Sequence, residues 1–155
     1  MLLAPGCDGG KQKVRPAPPP HESFLALDRE QQRLVRDYQP VSDSLIGYEL
    51  SFRDWRLGRL SDAALAARAE RYRAVVVAVL RRLVRAPVSG ETVRGKRLFV
   101  AALRARARAL RAPPAGRAYR REWDRSLARA RAGLTVLQDI RDRARLIPLP
   151  EDAVS

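Results

Sequence analysis

The feature that most constrains the fold is a series of apolar residues between Phe24 and Trp55. Its members are separated by alternating steps of three and four residues, with Gln31 as the one interruption, so they share one side of a helix. The members are Phe24, Leu27, Leu34, Tyr38, Val41, Leu45, Tyr48, Phe52 and Trp55. Because such a stripe must be covered by other apolar surfaces, the sequence predicts a helical bundle built around it.

Pro40 lies inside this stripe. Proline removes one backbone hydrogen bond and costs about 3 kcal/mol in a regular helix. The apolar series nevertheless continues in phase from Tyr38 to Val41. We therefore predict a long first helix, with Ser23 as its N-cap and with a kink or a brief break near Gln39.

Three further helical patterns follow along the chain. The second has the apolar residues Leu65, Ala69, Tyr72, Val76, Val79 and Leu83. The third begins near Glu91 or Thr92 and has a thinner face of Phe99, Ala102, Leu103 and Leu110, with Arg106 close to it. The fourth has Tyr119, Trp123, Leu127, Ala130, Leu134, Leu137, Ile140 and Ala144. Because alanine buries little area, we expect the third helix to be the weakest packing element.

Short turns join the four patterns, so helices that follow each other in the chain should be antiparallel. The predicted fold is all-α: an antiparallel up-down-up-down four-helix bundle with a kinked long first helix. The predicted boundaries are a disordered, proline-rich tether over 1–22, the bundle over 23–147 and a C-terminal tail over 148–155.

Positive charge is concentrated on the later helices. The net charge is +14, and between Arg71 and Arg121 the only acidic residue is Glu91. Arginine binds phosphate bidentately, so arginine columns on two helices are predicted as anion-binding residues. They are Arg97, Arg104, Arg108 and Arg111 on the third helix, and Arg117, Arg121 and Arg125, continued by Arg129, on the fourth. The alternative interpretation is a solvated face that reflects codon bias.

The first ten residues, Met1-Leu2-Leu3-Ala4-Pro5-Gly6-Cys7-Asp8-Gly9-Gly10, resemble the end of a bacterial lipoprotein signal peptide. Gly6 and Cys7 fit the last two positions of that motif, whereas Ala4 stands where leucine is usual. The resemblance implies that Cys7 is lipidated and anchors the protein to a membrane. It also requires a coding start upstream of Met1, because residues 1–6 lack the basic and apolar regions of a signal. The other interpretation is an ordinary N-terminus with one free cysteine.

Catalytic and metal-binding patterns find little support in the sequence. The only histidine, His21, lies in the proline-rich arm, so a di-iron site or a histidine-activated nucleophile lacks its ligand or base. Residues Gly90 to Arg97 nearly match a phosphate-binding loop, but Arg97 replaces the required hydroxyl and no strand is predicted before them. We expect no enzyme, no cofactor and no metal.

The predicted function is that of a non-enzymatic, envelope lipoprotein-like bundle with an interaction or scaffolding role. It would lie on the outer face of a membrane, anchored through Cys7, and bind an anionic polymer, an anionic lipid or a protein partner. One alternative is a cytoplasmic basic bundle that binds nucleic acid nonspecifically, although its rings lie in apolar stripes and offer no stacking platform. Another is a subunit whose thin third helix is completed by a partner chain.

Overall fold

The computed structural model describes residues 20–145, with the side chains of residues 26–143. They form four helices: α1 (Pro20–Arg56), α2 (Asp62–Arg85), α3 (Thr92–Ala109) and α4 (Arg117–Arg145). No strand occurs between residues 20 and 145, so the prediction of an all-α fold is confirmed. No helix in this range is both long and apolar enough to cross a membrane. The predictions for residues 1–19 and 146–155, including Cys7, lie outside the described part of the chain.

The first helix starts earlier than predicted and is unbroken. It begins at Pro20, three residues before the predicted N-cap Ser23, which is compatible with the preference of proline for a first helical turn. It continues as one helix through Pro40, so the predicted break near Gln39 does not occur.

The apolar stripe of α1 faces the core. Leu34, Val41 and Tyr48 are buried, and the remaining described members are half-buried. Gln31, which interrupts the series in the sequence, is also buried, with 5% of its surface exposed. Position 31 therefore lies on the same buried side of α1 as the stripe, although glutamine is polar.

Helix α2 is fixed at both ends. The Ser61 hydroxyl caps the N-terminus of α2 by accepting a hydrogen bond from the Ala64 amide at 3.2 Å. At the other end, Lys96 of α3 donates to the carbonyls of Val84 at 3.0 Å and Ala86 at 2.6 Å. A lysine at this place satisfies carbonyls that a helix end leaves unpaired. The predicted stripe is buried at Leu65, Tyr72, Val76, Val79 and Leu83, and Ala69 is half-buried.

Helix α3 is the most completely covered helix, and the prediction that it packs weakly is wrong. Its buried residues are Thr92, Gly95, Phe99, Ala102, Leu103, Ala105, Arg106 and Ala109. The alanines have short side chains, so the backbone of α4 can approach closely. A Cβ atom added to Gly133 of α4 would lie only 3.3 Å from Cε1 of Phe99. Small residues thus make α3–α4 the tightest helix pair.

Helix α4 departs from the predicted inward series at one described position. Tyr119, Leu137 and Ile140 are buried as expected, but Leu134 is 53% exposed and its predicted inward position is wrong. Gly133 takes the inward position instead. The side of α4 that packs against α3 carries small residues such as Gly133, which do not add to an apolar pattern. The pattern therefore predicts the neighbouring Leu134 as inward although it is exposed.

The helices contact each other in chain order, α1 with α2, α2 with α3 and α3 with α4. Helix α1 also touches α3 and α4, but at far fewer places. The backbones of α1 and α4 are therefore more widely spaced than those of helices that follow each other in the chain. Two open clefts lie there, one near each end of the helix pair.

Candidate anion-binding surface and aromatic cluster

Three arginines on the α3–α4 surface lie around the carboxylate of Glu122. Nη2 and Nε of Arg108 lie 2.8 Å and 3.0 Å from its Oε2, and Nη1 of Arg125 lies 2.7 Å from its Oε1. Nε of Arg121 is 3.8 Å from Oε1. The hydrogen bond from Arg108 is the main cause that lowers the pKa of Glu122. Three positive charges surround one buried carboxylate, which leaves an excess of positive charge facing solvent.

The structure brings together only part of the predicted arginine set. Arg108, Arg121 and Arg125 meet at Glu122; we call these four residues the Glu122 cluster. Arg104 and Arg117 are exposed on the same two helices, and Arg129 is half-buried. Arg111 is exposed too, but it lies in the turn after α3 and not on the third helix as predicted.

Arg97 stands apart from this cluster. It lines a groove with Thr135 and Asp139, and Asp139 lies about 20 Å along α4 from Arg125 at 1.5 Å per residue. The predicted anion-binding set is therefore divided along the helices. Its compact part is the Glu122 cluster.

The sequence-based prediction did not single out Glu122. The signal was present, because Glu122 and Arg125 have the i, i+3 spacing that places side chains together on a helix. Its neighbour Arg121 adds a third charge at the same turn. What the sequence alone could not show is that Arg108 of α3 reaches the same carboxylate.

Arg106 of α3 does not belong to the Glu122 cluster. It is buried in the core, with 2% of its surface exposed. Its Nη1 donates to the Tyr72 hydroxyl at 2.9 Å and its Nε donates to the Ser126 hydroxyl at 3.0 Å. Its Cζ atom lies 4.1 Å from the ring centroid of Trp123, a cation–π distance. The charge is thus held by hydroxyls and a ring; within the described chain no carboxylate pairs with it.

Six aromatic rings from α1, α2 and α4 form one contiguous cluster near the end of α1 and the start of α4. They are Tyr48, Phe52, Trp55, Tyr72, Tyr119 and Trp123, and we call them the aromatic cluster. Neighbouring centroids lie between 5.3 Å and 6.3 Å apart, within the favourable range for ring pairs. The rings lie in the helix interfaces, as the sequence predicts.

Burial of the aromatic cluster changes the acidity of its phenols. Burial raises the pKa of Tyr72 to about 12 and also raises the pKa of Tyr48 and Tyr119. The hydroxyl oxygens of Tyr48 and Tyr119 lie 3.3 Å apart in a buried hydrogen bond. The phenols therefore stay neutral to a higher pH than free tyrosine does.

The near match to a phosphate-binding loop has a structural role instead. Gly90 and Glu91 form a turn and α3 starts at Thr92, as predicted. The element before them is α2, and the lysine of the motif, Lys96, donates to the end of that helix. Between residues 20 and 145, no group of three or more histidine, cysteine or acidic side chains is arranged to hold a metal ion.

Two exposed arginines pair with residues other than the acid four positions before them. Arg53 pairs with Asp54 at 3.8 Å and not with Glu49. The guanidinium of Arg143 donates to the carboxylate of Glu91 and to the backbone carbonyl of Asp139. Because both arginines are exposed, these pairings have little effect on the helices.

Comparison of the chain with protein-family models, with curated proteins and with solved structures gives no match. The chemistry available to this protein is therefore inferred from its own side chains, above all from the Glu122 cluster and the aromatic cluster.

Proposed function

We propose that this protein is a non-enzymatic helical scaffold whose α3–α4 surface binds a polyanion at the cell envelope, an anionic polymer or an anionic lipid headgroup. The observation that carries the proposal is the Glu122 cluster. One buried carboxylate holds the guanidinium groups of Arg108, Arg121 and Arg125 on one surface.

The geometry of these arginines favours anion binding for two reasons. Their side chains remain 50%, 69% and 43% exposed, so N–H groups that do not face Glu122 are open to a ligand. The hydrogen bonds of Arg108 and Arg125 to Glu122 also restrict the rotamers of these two side chains before binding, which reduces the entropy lost when a ligand is bound. Repeated phosphate or carboxylate groups complement such a surface.

The scaffold itself is proposed to be an up-down-up-down bundle with α1 bent at Pro40. Contacts between helix starts and helix ends support the antiparallel order of the helices. Near the start of α1, the Glu30 carboxylate accepts hydrogen bonds from the amide and hydroxyl of Ser89, which follows α2. Asp28 lies 3.4 Å from Arg141, near the end of α4. Both α2 and α4 therefore end where α1 begins.

Membrane attachment is the part of the proposal that rests on sequence alone. The resemblance to a lipoprotein signal places the acyl group on Cys7, and Lys11, Lys13 and Arg15 are near enough to strengthen a marginal single-chain anchor on an anionic surface. Globomycin-sensitive acylation of Cys7 in the bacterial host is the expected result. Recovery of the protein from the cytoplasm with an unmodified Cys7 thiol would overturn the anchor.

The anion-binding proposal is tested with vesicles of phosphatidylglycerol in phosphatidylcholine and with soluble polyphosphate. The variant R121Q/R125Q removes two charges from the Glu122 cluster. Its matched control is R81Q/R85Q on α2, which removes two exposed arginines with the same i, i+4 spacing. We expect the cluster variant to weaken binding about tenfold and the control about twofold at most, because two charged contacts are lost only in the former. Equal losses in both variants would refute a localised site.

The nucleic-acid alternative uses the same positive charges and is separated in the same experiment. A DNA duplex is titrated at about 50 mM salt and then at increasing salt, because nonspecific phosphate binding weakens steeply with ionic strength. Binding of DNA that exceeds binding of both envelope probes would favour the alternative. Absence of DNA binding at the lowest salt would eliminate it.

A further inference from the structure

We propose that the cleft between the end of α1 and the start of α4 is a binding site for a small, flat aromatic carboxylate. Its volume is about 480 Å³, within the range of small-molecule sites. It is lined by Tyr48, Glu49, Phe52, Arg53, Arg56, Leu57, Tyr119 and Trp123. The cleft shares no lining residue with the Glu122 cluster, although both use the first turns of α4, and it does not depend on the function proposed for that cluster.

The rings on the floor of the cleft favour a flat apolar body. Tyr48 and Tyr119 are buried, whereas Phe52 and Trp123 are half-buried and keep ring surface open. Tyr119 is stacked on both of them, with centroids 5.4 Å from Phe52 and 5.3 Å from Trp123 and interplanar angles of 5° and 17°. Rings held in this way form a rigid surface on which a further ring can stack.

The rim of the cleft favours a single negative charge on the ligand. Glu49, Arg53 and Arg56 follow one face of α1 at spacings of four and three residues, so the rim carries a net charge of one positive unit. Arg53 lies near Asp54, but Arg56 makes no ion pair with any described residue. A carboxylate can therefore be paired with Arg56 without breaking an existing contact.

The floor also provides a hydroxyl hydrogen that needs an acceptor. The hydroxyls of Tyr48 and Tyr119 have two hydrogens, but only one can lie between their oxygens. The other has no protein acceptor within the described chain, and both tyrosines line the cleft. A carboxylate oxygen can accept it. The buried positive charge of Arg106, in contact with Trp123, further favours a negative ligand over a positive one.

The test uses 2-naphthoate as the probe and 2-naphthalenemethanol as its neutral analogue. Binding to the full chain is followed by tryptophan fluorescence and by the indole N–H resonances of Trp55 and Trp123 in a proton–nitrogen correlation spectrum. The variant R53Q/R56Q removes the cationic rim. Its matched control is R94Q/R97Q on α3, which removes two exposed arginines of the same i, i+3 spacing from a different groove.

We expect saturable binding of 2-naphthoate, a shift of the Trp123 resonance and about tenfold weaker binding by R53Q/R56Q, with the control unchanged within about twofold. The neutral analogue should bind about tenfold more weakly than 2-naphthoate to the unmodified chain. The proposal is overturned by a linear, non-saturable titration, by equal binding of the two probes or by equal losses in the two variants. Vesicle binding by R53Q/R56Q should remain intact, which separates this result from failure of the Glu122 cluster.

Discussion

Three helical glycines offer a graded test of how closely α3 and α4 pack. Gly95 of α3 faces α4, and an added Cβ atom would lie 2.8 Å from Cδ2 and 3.2 Å from Cγ of buried Leu137. Gly47 of α1 has no atom within 4 Å of that position. The substitutions Gly95→Ala and Gly47→Ala are chemically identical, so their difference isolates the packing of the helix pair.

The expected magnitudes have opposite signs. Alanine is favoured over glycine in a helix interior by about 0.5–1 kcal/mol, and Gly47→Ala should stabilise the protein by that amount. At Gly95 the same gain is opposed by overpacking against Leu137, which costs about 1–3 kcal/mol. Gly95→Ala should therefore destabilise the protein by about 0.5–2 kcal/mol. Gly133→Ala, whose added Cβ would lie 3.3 Å from Phe99, should fall between the two.

The assay is urea denaturation followed by circular dichroism, with the free energy of unfolding obtained by linear extrapolation. The slopes of the transitions should agree among the variants, because the surface exposed on unfolding is unchanged. If Gly95→Ala stabilised the protein as much as Gly47→Ala does, the close approach of α3 and α4 at Leu137 would be refuted.

Other predictions concern the core and its titrating groups. Leu103→Ala should lower the free energy of unfolding by about 2–5 kcal/mol because Leu103 is fully buried. Leu134→Ala should lower it by less than about 0.5 kcal/mol because Leu134 is exposed. Equal losses of the two variants in urea denaturation would contradict the exposed position of Leu134 on α4. Tyr72 should ionise near pH 12 in the folded protein, and because its folded pKa is raised, the corresponding stability should be present below about pH 10 and decline between about pH 10 and 12. Absorbance at about 295 nm follows this ionisation, and a folded-state pKa at or below the ordinary value would contradict it. Glu122 has a lowered pKa, so its stabilisation should be present above the ordinary value near pH 4.3 and decline as the pH falls through the folded-state value. Glu122→Gln should flatten this acid limb of the stability–pH profile, and an unchanged limb would show that the pairing contributes nothing.

The sequence was sufficient to predict the helices because their apolar spacing is regular. The positions of Leu34, Val41 and Tyr48 on α1 follow directly from steps of three and four, and all three are buried. The same holds for the stripe of α2. Periodicity predicts which side of a helix is inward whenever that side is apolar.

Prediction failed where the buried face is small or polar. Gly133 and Ser126 of α4 are buried against α3, yet neither adds to a hydrophobic pattern, so the apolar series displaced the inferred face toward Leu134. The alanines of α3 led to the prediction that this helix packs weakly, although their small size allows the close contact with α4. Close approach depends on the partner helix, which the local sequence does not contain.

The candidate site was predicted only in part, for a related reason. The arginine columns could be read from helical spacing, because each lies on one helix. Their division into a compact cluster at Glu122 and a separate Arg97 depends on how α3 is placed beside α4. Arg106 donates to the hydroxyls of Tyr72 on α2 and Ser126 on α4. Because both partners lie on other helices, the sequence around Arg106 does not indicate them.

The backbones of α1 and α4 approach each other at few places, and aromatic rings fill the wider space between them. Opening this boundary would separate Tyr48 from Trp123 and Phe52 from Tyr119, which makes such a motion costly. A ligand in the cleft can stack on the outer ring surface without that motion. Glu122 keeps its arginines meanwhile, so the two surfaces can respond to their partners independently.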